Sequence, residues 1–329
     1  MPNLISNLSR RCVPALLSAL LISAAFAQQP YPSRAINIIV PFPPGGVVDN
    51  AARAIAQSLS PTWGQSILVE NRAGANGNIG VEACTKADPD GYTVCFPAGV
   101  IISLNPFAYA KLPFNPQRDL VPVVHVAVID TSITVSTSVP ANSVKELVEL
   151  ARNKPGVINW GSIGIGSASH LYMEWLQAKT GVKFTHVPYK GSPEVIRALI
   201  SDEVQVLTNS PGVMLPHVKA GKTKMLAVVS NGERYPPLPH VPTLKEQGYD
   251  LDFRNWIAMF LPRNTPDTIV RRWNSEVNRL VRDPVWTNKI FAPMALTPTG
   301  GTVEEFIAYM KRDLATSAEL VKIANLRLD

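Results

Sequence analysis

The stretch Ile36-Asn-Ile-Ile-Val-Pro-Phe-Pro-Pro-Gly-Gly-Val-Val-Asp49 sets the reading of the whole chain. Ile36–Val40 is a short apolar run that suits a buried strand, and Ala51, Ala52, Ile55 and Leu59 recur at helical spacing beyond it. Prolines stiffen the intervening loop, and glycines let a ligand approach its backbone. A strand that ends in such a loop and opens onto a helix leaves several N–H groups aimed at one spot, with the positive end of the helix behind them. The candidate anion-binding set is Phe42, Pro43, Pro44, Gly45, Gly46, Val47, Val48 and Asp49. No Lys or Arg lies in the loop, so a bound anion would rest on N–H groups and water. Asp49 would repel a bare carboxylate, which leaves it to cap the helix or to accept from a bridging water or a ligand amine. A plain strand-to-helix turn is the competing reading.

A second unit of the same kind follows in the other half of the chain. Asn159-Trp-Gly-Ser-Ile-Gly-Ile-Gly-Ser-Ala-Ser-His170 precedes the helical positions Leu171, Tyr172, Trp175 and Leu176. Hydroxyls at Ser162, Ser167 and Ser169 can donate to carboxylate oxygens, Gly166 allows close approach, and His170 can face the ligand or support the loop. A flexible loop is the alternative. Weaker cues are Ala75 and Asn76 in the glycine loop Arg72–Gly80, Ala98 and Gly99 after a strand, Tyr189 and Lys190 in Val187-Pro-Tyr-Lys-Gly191, and Thr208 with Asn209. Phe42, Trp160 and Tyr189 could line an apolar end of the cleft or simply pack in the core.

Short apolar runs alternate with helical patterns along the chain, the mark of α/β layering. Strands are predicted at Ile36–Val40, Ile67–Glu70, Tyr92–Phe96, Val123–Val128, Ile133–Ser136, Val157–Trp160, Thr185–Val187, Val204–Leu207, Lys224–Val229 and Ile257–Phe260. Helix starts are predicted at Asp49, at the Ser143/Glu146 and Thr302/Glu305 capping boxes, and at Thr265-Pro266, with Thr265 as N-cap.

The first residues combine Arg10 and Arg11, the apolar run Val13–Ile22, and Ala25-Phe26-Ala27, which reads as an export signal cleaved between Ala27 and Gln28. That apolar run is shorter than the roughly 20 residues of a membrane span. Cleavage takes two of 31 basic residues and none of 25 acidic ones, lowering the net charge from +6 to +4. With no concentrated basic stretch, nucleic-acid binding is not expected. Cys84 and Cys95 remain after cleavage, either as one disulfide or as two buried thiols.

Enzymatic motifs fit poorly. Gly45-Gly46 is not followed by the Gly-Lys-Ser/Thr of a phosphate loop, no G-x-G-x-x-G follows the first strand, and Ser162 lacks the G-x-S-x-G elbow. Ser167, His170 and Asp49 make a triad only on paper. His125, His170, His186, His217 and His240 are scattered without metal-ligand spacing. No cofactor and no metal are expected.

Over essentially the whole mature chain the sequence resembles the Bug family, the TctC-like extracytoplasmic solute receptors of tripartite tricarboxylate transporters. The resemblance is carried by Tyr31-Pro-Ser-Arg-Ala-Ile36, Ile39–Asp49, Val69-Glu-Asn-Arg-Ala-Gly74, Asp88-Pro-Asp-Gly-Tyr92, Gly161–Ser167, His186-Val-Pro-Tyr-Lys-Gly191, Pro216–Gly221 and Val241-Pro-Thr243. It implies a two-domain α/β periplasmic-binding-protein fold, type II-like, closing as a Venus flytrap. Domain 1 would comprise residues 28–130 plus 251–329 and domain 2 residues 131–250, with the ligand cleft between them. It further implies a monomeric periplasmic protein that holds a small organic acid, such as a di- or tricarboxylate, an acidic amino acid or an aromatic acid. That acid would pass to a membrane permease, or be presented to a membrane sensor; a periplasmic enzyme is a third reading. Asn76 stands where the family often has glycine, and Thr208 where aspartate is common.

Overall fold

The structure, a computed structural model, describes residues 31–230, 232–251 and 253–328. The expected export signal, with Cys12 in it, lies outside the described residues. From Arg34 onward the chain carries two sheets.

The first sheet has the order β11-β4-β10-β3-β1-β2, built from β1 (Ile36–Val40), β2 (Ile67–Asn71), β3 (Thr93–Cys95), β4 (Leu120–Ile129), β10 (Asn255–Pro262) and β11 (Leu296–Pro298). The second has the order β7-β6-β8-β5-β9, from β5 (Thr131–Ser136), β6 (Asn159–Ser162), β7 (Thr185–Pro188), β8 (Val206–Asn209) and β9 (Thr223–Val229). β1 runs parallel to β2 and β3, and β6 parallel to β7 and β8. Each parallel core is joined by antiparallel strands, β10 in the first sheet and β5 in the second. Only Asp130 separates β4 from β5, so the chain changes sheets there, and it returns just before Asn255.

The buried run Ile36, Ile38, Ile39 and Val40 makes β1 a central strand. Helix α1 (Val47–Trp63) covers it with Val48, Ala51, Ala52, Ile55 and Leu59, and stops at Gly64 in the left-handed region. Trp63 then meets Trp273 at 4.4 Å between ring centroids. The remaining longer helices are α2 (Asn78–Thr85), α3 (Val144–Asn153), α4 (Ala168–Thr180), α5 (Ser192–Ile200), α6 (Pro211–Lys219), α7 (Asp267–Val281), α8 (Pro284–Met294) and α9 (Val303–Ile323). A second core, centred on Val195, Leu199, Val204, Leu207, Met214 and Val228, packs α5 and α6 against the second sheet.

Several local expectations need correction. Gly46, not Asp49, is the N-cap of α1, because the helix already begins at Val47 and Asp49 sits in its first turn. Pro266 occupies the N-cap of α7, its carbonyl accepting from Ile269 and Val270, while the Thr265 hydroxyl turns back onto the Pro262 carbonyl. The Ser143 cap forms, but Glu146 reaches the amide of Asn142 rather than that of Ser143. At α9 the Thr302/Glu305 box is complete. Val157 lies in an exposed turn ahead of β6, and Val204 lies in the loop between α5 and β8, its amide bonded to the Ala198 carbonyl. The three-residue edge strand β11 has too little pattern to be seen in the sequence. Cys84, at the end of α2, and Cys95, in β3, form a disulfide with Cα atoms 5.8 Å apart.

Candidate functional site

Parallel strands in an α/β sheet deliver their loops to one end, where ligands bind. Here both parallel cores do so toward a shared cleft. After β1, β6, β7 and β8 the chain turns into α1, α4, α5 and α6, and the first residues of all four helices line one cavity: Gly46–Val48, Ser167–Ser169, Gly191–Ser192 and Ser210. The caps at Gly46, Gly191 and Ser210 engage no side chain, so helix-start amides there are not consumed by a capping group.

Of the residues expected from sequence, Phe42, Pro43, Gly46, Val47, Val48, Asn76, Ala98, Ser167, Ser169 and Thr208 line this cavity. Pro44, Gly45, Asp49, Ala75, Gly99, Ser162, Gly166, His170 and Tyr189 are placed outside its lining. Several of these brace the loops that do line it.

In the first loop the Gly45 amide donates to Asp49 Oδ2 at 3.0 Å, Arg53 Nε to the same oxygen at 3.0 Å, and Asn71 Nδ2 to Oδ1 at 2.8 Å. Asn71 Nδ2 also donates to the Phe42 carbonyl. Burial alone would raise the Asp49 pKa, but these hydrogen bonds and the Arg53 charge hold it below the ordinary carboxylate value. Its carboxylate therefore belongs to the loop's own framework.

The second loop is held by hydroxyls and imidazoles. Ser167 Oγ donates to the Gly164 carbonyl at 2.6 Å and accepts from the His170 amide, while Ser169 Oγ accepts from the Ile163 amide at 3.1 Å. The Gly166 amide donates to His170 Nδ1 at 3.1 Å, which places the proton of a neutral imidazole on Nε2, facing Glu174 at 3.5 Å. His170 stacks on His186, ring centroids 3.9 Å apart, and His186 Nε2 lies 2.6 Å from the buried Ser162 Oγ. Burial, then the neighbouring His170, push the His186 pKa down to about 4. The paper triad is not assembled: Asp49 is committed to Gly45, Arg53 and Asn71, and His170 Nδ1 accepts from a backbone amide.

The two halves touch across the cleft. Asn76 Nδ2 donates to the Gly166 carbonyl at 3.1 Å and to Asn105 Oδ1 at 2.9 Å. Gly166 sits at φ +77°, a left-handed conformation that favours glycine, and a Cβ there would press on the end of the Leu328 side chain. Leu328 is itself tied to Ala108 and Ala110 of the first half through backbone bonds.

Other lining residues escaped the sequence reading. Ile129, Thr131 and Asn255 come from the crossing strands, and Tyr172 from α4 closes the floor with its hydroxyl on the Phe253 carbonyl. Nothing in a strand pattern marks a residue that faces a cleft made by two sheets. Gly191-Ser-Pro193 and Ser210-Pro211 repeat the loop-to-helix signature of the first two loops, and that signal could have found them. Lys190 and Asn209, weak cues in sequence, also line the cavity. Tyr189 instead donates its hydroxyl to Glu203 at 2.7 Å, and Trp160 is fully buried against Phe184. No His/Cys/Asp/Glu cluster among the described residues could hold a metal.

Residues 51–326 match the profile of the tripartite tricarboxylate transporter family receptor, TctC. Protein BugT of Bordetella pertussis is 32% identical over 314 residues, 93% of this chain and 94% of that protein. Among solved structures, an R. palustris protein with adipate superposes with a TM-score of 0.86 at 32% identity, covering 90% of this chain and 99% of the other. MatC from Rhodopseudomonas palustris with bound malate gives 0.80 at 25% identity, covering 88% and 100%. Family profile, relatives and two-domain α/β architecture agree: the chain belongs to the TctC-like Bug family of extracytoplasmic solute receptors of tripartite tricarboxylate transporters.

Proposed function

We propose that this receptor captures a small organic acid in the periplasm and delivers it to a membrane transporter. The observation that carries the reading is the convergence of four helix starts on one cavity, in a fold whose relatives hold adipate and malate. One carboxylate sits between the loop Phe42–Val47 and the loop Ser162–His170, taking hydrogen bonds from Gly46–Val48 and Ser167–Ser169. Asn76, Ala98 and Thr208 shape the rest of the first and second jaws. The jaws belong to domain 1, residues 28–130 plus 251–329, and domain 2, residues 131–250. They open and close about the crossings at Asp130 and before Asn255, with binding free energy selecting the closed form. The mature chain starts at Gln28. No covalent step is involved.

A ligand that binds only the folded state must raise its melting temperature. Ligand-free protein is therefore screened against diacids, triacids, aromatic acids and amino acids by thermal shift, with calorimetry on the best acid. Saturable stabilisation by one class is the expected result; folded protein that answers to none of them ends the small-acid reading. Gly46→Leu provides the local check. Gly46 has an ordinary φ of −82°, and a Cβ there would meet Ser192 Oγ only at 3.9 Å. The variant should fold normally, fill the cradle and lose binding.

A further inference from the structure

We infer that this cleft selects acids with an apolar body and rejects those that carry an ammonium group. The inference rests on the small-acid reading above and narrows it to a substrate class.

Its basis is the charge and polarity of the wall. Among the described lining residues the charged side chain is Lys190, and no Asp or Glu is present. The helix starts at Gly46, Ser167, Gly191 and Ser210 add partial positive charge from both sides of the cleft. The acids beside the lining in sequence are committed elsewhere: Asp130, between the lining residues Ile129 and Thr131, accepts from Thr297 Oγ1 and lies in the field of Arg254, and Glu174, two residues past Tyr172, faces His170 and accepts from Gln177. Asp49 is taken by Gly45, Arg53 and Asn71, Glu203 accepts from Tyr189, and Glu194 accepts from the Lys190 amide.

Neutral oxygens offer little in their place. Asn255 Oδ1 accepts from the amides of Val100 and Trp256, Asn209 Oδ1 from that of Ser210, and the Ser169 carbonyl from Thr208 Oγ1. The remaining wall is apolar, with Phe42, Val48, Val100, Ile129 and Ile163. An ammonium group entering this space gives up its hydration and meets no carboxylate on the lining. A carboxylate meets Lys190 and the helix starts, and a methylene chain or ring finds matching surface.

Matched series separate charge from size. Calorimetry on ligand-free protein compares glutarate, 2-hydroxyglutarate and glutamate, then succinate, malate and aspartate, then adipate and 2-aminoadipate. In each series that binds, the hydroxy acid should stay within about five-fold of its parent and the amino acid should fall by about 50-fold or more. An amino acid that binds within about five-fold of its parent overturns the inference. So does equal rejection of hydroxy and amino acids, since that reports a lack of room rather than a lack of counter-charge. Binding by no acid of any series is a different failure: it overturns the inference for aliphatic diacids, while the small-acid reading stands or falls by the wider thermal-shift screen. Thr208→Asp supplies the converse. Thr208 is 2% exposed on the cavity wall, and a carboxylate there should shrink the penalty on the amino acid by about ten-fold or more. A folded variant with an unchanged penalty counts against the inference. Should that variant not fold, the wild-type series still decides.

Discussion

The two loops that face each other across the cleft reach the same geometry by different means. Behind Phe42–Val47 stands an ion pair: buried Asp49 collects Gly45, Asn71 and Arg53, and a disulfide fastens the neighbouring α2 to β3. Behind Ser162–His170 stand two stacked imidazoles, with Glu174 beside His170, and a chain of serine hydroxyls. In both, the supporting polar groups find partners on neighbouring strands and helices: Asn71 and Arg53 behind the first loop, His186 behind the second. At Gly46 no side chain caps the helix start, whereas Ser167 caps its own by accepting from the His170 amide. A carboxylate-binding jaw needs fixed amides and a locally balanced background; which residues provide the balance is free to differ.

If the first jaw depends on covalent and ionic bracing, breaking the Cys84–Cys95 bond should be the costliest single change. It closes a loop with a sequence separation of 11 residues, and chain entropy values such a link at about 3 kcal/mol. Urea unfolding of the Cys84→Ala/Cys95→Ala double variant should show that loss, with ligand affinity reduced in the refolded fraction. Asp49→Ala comes next. The Gly45 amide and Asn71 lose their acceptor, and because Arg53 is half exposed its pairing adds little, so we expect about 2 kcal/mol. Binding should weaken by about ten-fold as the loop loosens. A variant of Asp49 with full affinity would show that the loop is rigid without its carboxylate.

Acid should then tell the jaws apart. His186 has a folded pKa of about 4, below its ordinary 6.5, so the folded state favours the neutral ring. Its contribution is complete above 6.5 and is lost as pH falls from 6.5 toward 4. Asp49 is also depressed, but from 3.8, so its contribution survives until pH falls below that value. His125, buried in the first half beside Trp256 and Phe306, is lowered to about 4 by burial and titrates over the same range as His186. Stability against pH is therefore measured for the wild type and for His186→Phe, which keeps a ring on His170. The difference between the curves isolates His186, and we expect about 1–2 kcal/mol between pH 6.5 and 4, discounted for its partial exposure. Parallel curves would mean that His186 carries no acid sensitivity.

The first jaw was the more legible of the two because its sequence is self-contained. Ile36–Val40, the Pro/Gly loop and the apolar positions of α1 announce strand, turn and helix within 28 residues. The α/β layering followed from the same alternation elsewhere. Asp49 was misread as a cap because its spacing from the apolar stripe suits one; only the loop's fold shows Gly45 and Asn71 turned onto it. The floor of the cleft left no trace in sequence. Thr131 and Asn255 lie 124 positions apart and meet because β4 passes into β5 through Asp130 while β10 returns beside β4. His186 is hidden for a similar reason: its partners Ser162 and His170 become neighbours only through the parallel pairing of β6 with β7.

The smallest effect expected concerns the bond that joins the jaws. Asn76 holds φ +49°, a left-handed conformation that glycine adopts without strain, so Asn76→Gly removes the side chain and keeps the turn. Two hydrogen bonds go with it. The bond to Asn105 lies within the first half and should persist when the cleft opens, whereas the bond to the Gly166 carbonyl exists only while the halves touch. Loss of the first is felt by the open and closed forms alike; loss of the second is felt by the closed form alone. Rapid-mixing kinetics on the best acid should therefore show dissociation faster by about five-fold, in line with one net hydrogen bond of about 1 kcal/mol, and association nearly unchanged. Slower association with unchanged dissociation would instead place Asn76 in the open form, shaping the first jaw before the second arrives.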